Sequence, residues 1–208
     1  MPRKLTLEEI RNAINSCDPC CVTYLHDELK LLEPSIEIVR CLVESNAALL
    51  ITPNESGSIA LHIACANIEN ISPELLTYLI EQSLPLGGSL ATTNRYGMLP
   101  IHKAVGAFTT KNSLLKIRTL VEGNPSCLLA QSLDGQLPLH ISLNSPKLYT
   151  VTLIDVLVEL EPKALKVADK YGHYPLHKAA GKTRIDAGIV GILLEGAPEV
   201  ATLKDRNG

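Results

Sequence analysis

The sequence predicts an all-α fold built from recurring helix–turn–helix units, and three observations predict it. Gly-x-x-(Pro/Ala)-(Leu/Ile)-His occurs four times, from Gly57 to His62, Gly97 to His102, Gly135 to His140 and Gly172 to His177, so successive histidines stand 40, 38 and 37 residues apart. A second apolar stretch of helical period follows each occurrence. Aromatic residues make up only 3% of the chain, with no Trp and one Phe, so Leu, Ile, Val and Ala must fill the core. A fixed period of this size decides the fold class before the chemistry of any single residue is considered.

The chain opens with a capping helix within residues 1–17. Thr6 and Glu9 form a candidate capping box, and Leu7, Ile10, Ala13 and Ile14 share one face. The array then runs over 18–208, as units 18–53, 54–93, 94–131, 132–168 and 169–204, with 205–208 opening a truncated next unit. The first unit is degenerate. Asp18-Pro-Cys-Cys21-Val-Thr-Tyr-Leu-His26 matches Asp169-x-x-Gly172-x-x-Pro-Leu-His177 in spacing, with Cys21 in the Gly position and Tyr24 in the Pro position.

The second helix of each unit is expected at Ile36–Glu44, Glu74–Gln82, Leu114–Glu122, Val151–Leu160 and Ala187–Glu195. Each carries apolar residues at i, i+3 and i+4, the mark of one buried stripe. The first helix follows Pro100, Pro138 or Pro175, where the missing N–H falls among the unbonded donors of a first turn. Ala64, Ala104, Ser142 and Ala179, two places after each His, let a neighbouring helix approach. Gly97, Gly135 and Gly172 are expected at positive φ. Asn54, Asn94, Ser132, Asp169 and Asp205, three places before each Gly, are expected to fold their side chains back onto nearby backbone N–H groups. Leu76 lies 21 residues before Gly97, where the other units have 18, so Gly87-Gly88 marks a loop insertion.

The unit Asp-x-x-Gly-x-x-Pro-Leu-His-x-Ala, an apolar helix, then a loop back to Asp-x-x-Gly resembles the ankyrin repeat over roughly residues 18–208. The period exceeds the usual length of about 33. Ile59, Leu99, Leu137 or Tyr174 stands where the family has Thr before Pro, so each His needs other hydrogen-bond partners. The resemblance implies an ankyrin-like helix-turn-helix repeat solenoid whose loops project from the helices, with binding at the loop tips and on the concave face. Terminal units of such arrays carry a polar outer face. The apolar stripe Ile189, Val190, Leu193 and Leu194 lacks one, which reads as a fragment of a longer array.

The recurring histidines invite a metal reading, but one His per unit places them a repeat apart, whereas zinc needs ligands within about 2.0–2.3 Å of one ion. Cys17, Cys20, Cys21 and His26 have ligand-like spacing, yet a lone Cys-x-x-Cys lacks its second pair and is expected to be a thiol cluster. The six cysteines follow no repeating pattern and are expected reduced. The phosphate-loop, nucleophile-elbow, metalloprotease and kinase motifs do not occur in the sequence. No cofactor is expected.

Function is expected at the residues that vary between the fixed ones. Arg95, Tyr96, Met98, Leu133, Gln136, Lys170, Tyr171 and His173 fall on the tips of successive loops, and Tyr and Arg are enriched among binding hot spots. Charge is uneven, with 5 Lys/Arg against 12 Asp/Glu in residues 1–90 and 14 against 10 in residues 91–208. The reading is a non-catalytic protein–protein interaction module, an adaptor or scaffold. It is expected to be monomeric and cytoplasmic or nuclear, with no nucleic-acid or membrane partner. The alternative is a regulatory or targeting segment of a larger enzyme whose catalytic part lies beyond residue 208.

Overall fold

The computed structural model describes residues 6–16, 20–87, 90–144, 150–181 and 186–205. Among these residues there are eleven α-helices and no strand. No helix of the described residues is long and apolar enough to cross a membrane.

The helix α1 (Leu7–Asn15) starts at the predicted capping box. Glu9 N donates to Thr6 Oγ1 at 3.2 Å, and Thr6 N donates to Glu9 Oε2 at 2.8 Å. Ile10 is buried and α1 packs against α3. Five short helices follow in alternation with five longer ones. The short series is α2 (Cys21–Glu28), α4 (Ala60–Ala66), α6 (Pro100–Ala107), α8 (Pro138–Ser142) and α10 (Pro175–Ala180). The long series is α3 (Ile36–Ser45), α5 (Pro73–Ser83), α7 (Asn112–Gly123), α9 (Thr150–Leu160) and α11 (Ala187–Gly196).

Each short helix packs on the next short helix and on the long helix that follows it. The residues that permit this approach are small and fully covered: Ala64, Ala104, Ser142 and Ala179 are at most 2% exposed. The long helices turn their apolar stripes inward, with Val39, Leu42, Leu76, Leu79, Ile117, Leu120, Ile154 and Leu157 all buried. In α11 Leu193 is buried, while Ile189, Val190, Ile192 and Leu194 are half-buried. Ser35, Ser72 and Asp186 cap the N-termini of α3, α5 and α11, and proline occupies the first position of α6, α8 and α10.

Two features differ from expectation. The first is α2, which begins at Cys21, three residues before the Tyr24 that matches the proline of the other segments. Neither glycine nor proline stands here to stop the helix extending backward, and Tyr24 N donates to Cys20 O at 3.0 Å. Cys17, Asp18 and Pro19 lie outside the described residues, as do Gly88 and Arg206–Gly208. The second is a set of 3-10 turns after the long helices, at Ala47–Leu50, Leu84–Leu86, Pro125–Leu129, Pro162–Lys166 and Pro198–Thr202. Leu50, Leu128, Leu165 and Val200 on these turns are buried and join the core.

Candidate functional site

The loops that precede the short helices share one construction. Asn94 Oδ1 accepts from Tyr96 N at 2.9 Å and Met98 N at 3.1 Å, and Asp169 Oδ1 accepts from Tyr171 N and His173 N at 2.9 Å each. Asn54 and Ser132 do the same for their own loops. Gly57, Gly97, Gly135 and Gly172 all have positive φ, between 67° and 81°.

The tips are also joined to one another. Arg95 N donates to Ser56 O at 3.0 Å, Leu133 N to Tyr96 O at 3.0 Å and Lys170 N to Asp134 O at 3.1 Å. A Cβ on Gly135 would stand 2.5 Å from Lys170 N, so this glycine is needed for the close approach of two loops as well as for its own φ of 71°.

The histidines complete the frame. The Nδ1 atoms of His102, His140 and His177 accept from the backbone N–H of Leu99, Leu137 and Tyr174 at 3.0, 3.2 and 3.2 Å. That bond fixes the proton on Nε2, which donates to Ala130 O at 3.1 Å, His173 O at 3.0 Å and Leu203 O at 3.0 Å respectively. Each ring thus bonds the start of its own helix and backbone 26 to 33 residues further along the chain.

Ala60 replaces proline in the segment of His62, and there only half the pattern holds. His62 Nε2 reaches Met98 O at 2.9 Å, while Nδ1 is buried without a partner. His26 Nε2 is likewise buried without a partner. Burial pushes the pKa of His26, His62, His102 and His140 down, that of His102 to about 4, so these rings are neutral at pH 7. No three His, Cys, Asp or Glu side chains gather to hold an ion among the described residues.

On this frame the predicted residues divide into three groups. Tyr96, Leu133 and Tyr171 are 57%, 72% and 48% exposed, and Arg95 and Lys170 are exposed beside them. Met98, Gln136 and His173 are half-buried, which corrects the expectation that Met98 is displayed. The residue after each glycine returns to the frame. Met98 O and His173 O serve as acceptors for His62 and His140, and their N–H groups bond the turn-opening side chain.

Lys170 and His173 are engaged within the protein. Lys170 Nζ pairs with Asp134 and lies 5.0 Å from the centroid of the Tyr171 ring, and the bond to Asp134 raises its pKa. His173 stands between Asp169 Oδ2 at 3.4 Å and Asp205 Oδ2 at 3.3 Å. Burial would raise the pKa of Asp169, but Lys178 Nζ at 2.9 Å and the N–H groups of His173 and Tyr171 outweigh it and hold the value at about 2.

Sequence reasoning missed the residues one place after each His. Ile63, Lys103, Ile141 and Lys178 lie half-buried at one register on α4, α6, α8 and α10. Their signal was the histidine spacing itself, read one position further. Elsewhere, a buried lysine and a carboxylate are both taken up by loop backbone. Lys116 Nζ donates to Ile68 O and to Ile71 O at 2.9 Å, and burial lowers its pKa. Glu69 accepts from Thr109 N and from Thr110 N at 3.0 Å. Burial opposes its ionisation, yet the bonds from Thr110 and Thr109 prevail and bring its pKa to about 2. No protein-family model matches the chain, and no curated protein matches it.

Proposed function

We propose that the chain is an ankyrin-like repeat solenoid and serves as a non-catalytic protein–protein interaction module, an adaptor or scaffold that binds another protein through its loop tips and the adjoining face of the short helices. One observation carries the reading. Tyr96, Leu133 and Tyr171 are displayed on three successive tips whose backbones are bonded to one another. Exposed single apolar residues are ordinary on a protein surface. Three on successive tips of a hydrogen-bonded frame, with Leu133 one place earlier in its loop than Tyr96 and Tyr171 in theirs, make a pre-organised row, and a rigid row spares a partner the ordering cost of binding. The Asx-type turns, the glycines and the histidines support the same reading, because each bonds its own loop or the next segment, as quasi-one-dimensional stacking requires.

The test replaces Arg95, Tyr96, Lys170 and Tyr171 together by Ala and uses the full chain as bait. Partner capture should be lost while the melting midpoint moves by no more than about 3 °C, since these side chains lie at the surface. Capture that survives the fourfold substitution contradicts the proposal.

A further inference from the structure

The cations on the loop tips and the short helices are not alike in their surroundings. Lys170 pairs with Asp134 and Lys178 with Asp169. Lys103 lies by the Tyr96 ring, whose centroid is 5.8 Å from its Nζ, and near the neutral His62. Among the described residues neither Lys103 nor Arg95 has a carboxylate within ion-pair range. An uncompensated lysine thus lies over one exposed aromatic ring, and the uncompensated Arg95 is its neighbour in sequence. Lys103 is half-buried and sits between two apolar neighbours in its column, Ile63 on α4 and Ile141 on α8. Ile141 is seated against Gly106, its Cγ2 3.3 Å from where a Cβ would be.

We infer that this column, with Tyr96 and Arg95 at its edge, is the docking site for an extended peptide segment that carries one acidic side chain between two apolar ones. The inference rests on the protein-binding reading above and specifies its partner. The carboxylate lies on Lys103, and the apolar side chains lie on Ile63 and Ile141. Charge complementarity fixes the central residue: an ammonium without a counter-ion attracts an anion.

Packing fixes the spacing. Neighbouring helices stand about 8–10 Å apart, and a chain in the polyproline II form advances about 3.1 Å per residue and returns to the same face every third residue, so successive contacts fall every third residue. The recognised pattern is apolar-x-x-(Asp/Glu)-x-x-apolar.

The probe is a phage-displayed library of random twelve-residue peptides, selected on the full chain. Enriched peptides should carry Asp or Glu with apolar residues three places to either side. Lys103→Glu should weaken them by more than about tenfold through like-charge apposition, and a peptide with Lys at the central place should recover binding to that variant. Lys103→Gln should give a smaller loss, and it is the variant to read should the charge reversal prevent folding.

Binders that lack the acidic residue, or that ignore Lys103→Glu yet are lost on Tyr96→Ala, overturn this inference and leave the protein-binding reading intact. Competition by a single-stranded oligothymidine assigns the cations to nucleic acid and overturns it too. A library that yields no binder overturns both.

Discussion

Two loop tips present a cation followed by tyrosine, Arg95-Tyr96 and Lys170-Tyr171, yet differ electrostatically. In both, the cation's backbone N–H donates to the carbonyl of the residue just before the preceding loop's glycine, Ser56 for Arg95 and Asp134 for Lys170. That single position makes the difference. Asp134 pairs with Lys170. Ser56 turns its hydroxyl to Asn54 Oδ1 at 2.7 Å and Ser58 Oγ at 2.9 Å, and leaves Arg95 without an anion. Two tips alike in sequence therefore carry unlike charge to a partner, and the neighbouring loop decides which one is available.

The largest effects come from the glycines beneath the two tips. Ala at a positive-φ position costs about 1–2 kcal/mol, and overpacking adds about 1–3 kcal/mol. A Cβ on Gly135 meets backbone only, with Lys170 N at 2.5 Å and Asp169 C at 3.1 Å, while one on Gly57 meets Arg95 N at 2.8 Å and the movable Arg95 Cγ at 2.9 Å. Gly135→Ala should therefore destabilise more than Gly57→Ala in denaturant titrations. Equal losses would mean that the loops do not press on each other as described.

A smaller effect separates the turn openers, Asn94 and Asp169. The carboxyl of Asp169 is held at about 2, below its ordinary 3.8, so the unfolded chain binds more protons through this range. Its contribution to stability is present above pH 3.8 and is lost as pH falls toward about 2. The wild type should melt above Asp169→Asn at pH 6, and the gap should narrow below pH 4. A gap that persists into acid would remove the carboxylate from the account.

The smallest effect on stability belongs to Asp134→Ser, less than about 1 kcal/mol for an exposed pair. Its effect on recognition is the informative one. It frees Lys170 and should strengthen binding of acidic peptides, while the reciprocal Ser56→Asp should neutralise Arg95 and weaken it. Titrations of both variants with one acidic peptide that move in the same direction would break the comparison.

The helices α3, α5, α6, α8, α10 and α11 were legible because their apolar patterns coincide with Ser, Asp or Pro at their starts, so two independent signals agree. The turns at 125–129, 162–166 and 198–202 were not read, although Pro125, Pro162 and Pro198 recur in phase, because a 3-10 turn has no apolar period of its own. The early start of α2 differs from the sequence expectation because a matched spacing gives a matched backbone only where the glycine and proline that enforce it are present.

The tip positions followed from register alone. The partners of their side chains did not. Asp134 and Lys170 are 36 residues apart, and they meet because the backbones of two loops are bonded, which no local pattern records. Met98 is half-buried, and its carbonyl is the acceptor for His62 on another segment.

The most direct test is residue-resolved NMR of the labelled chain titrated with a selected peptide. The account predicts shifts centred on Ile63, Arg95, Tyr96, Lys103 and Ile141. Other large apolar side chains stand exposed elsewhere, Leu32 at 73%, Leu84 at 55% and Leu115 at 64%. Shifts centred on those residues, with the tip residues unmoved, would contradict it.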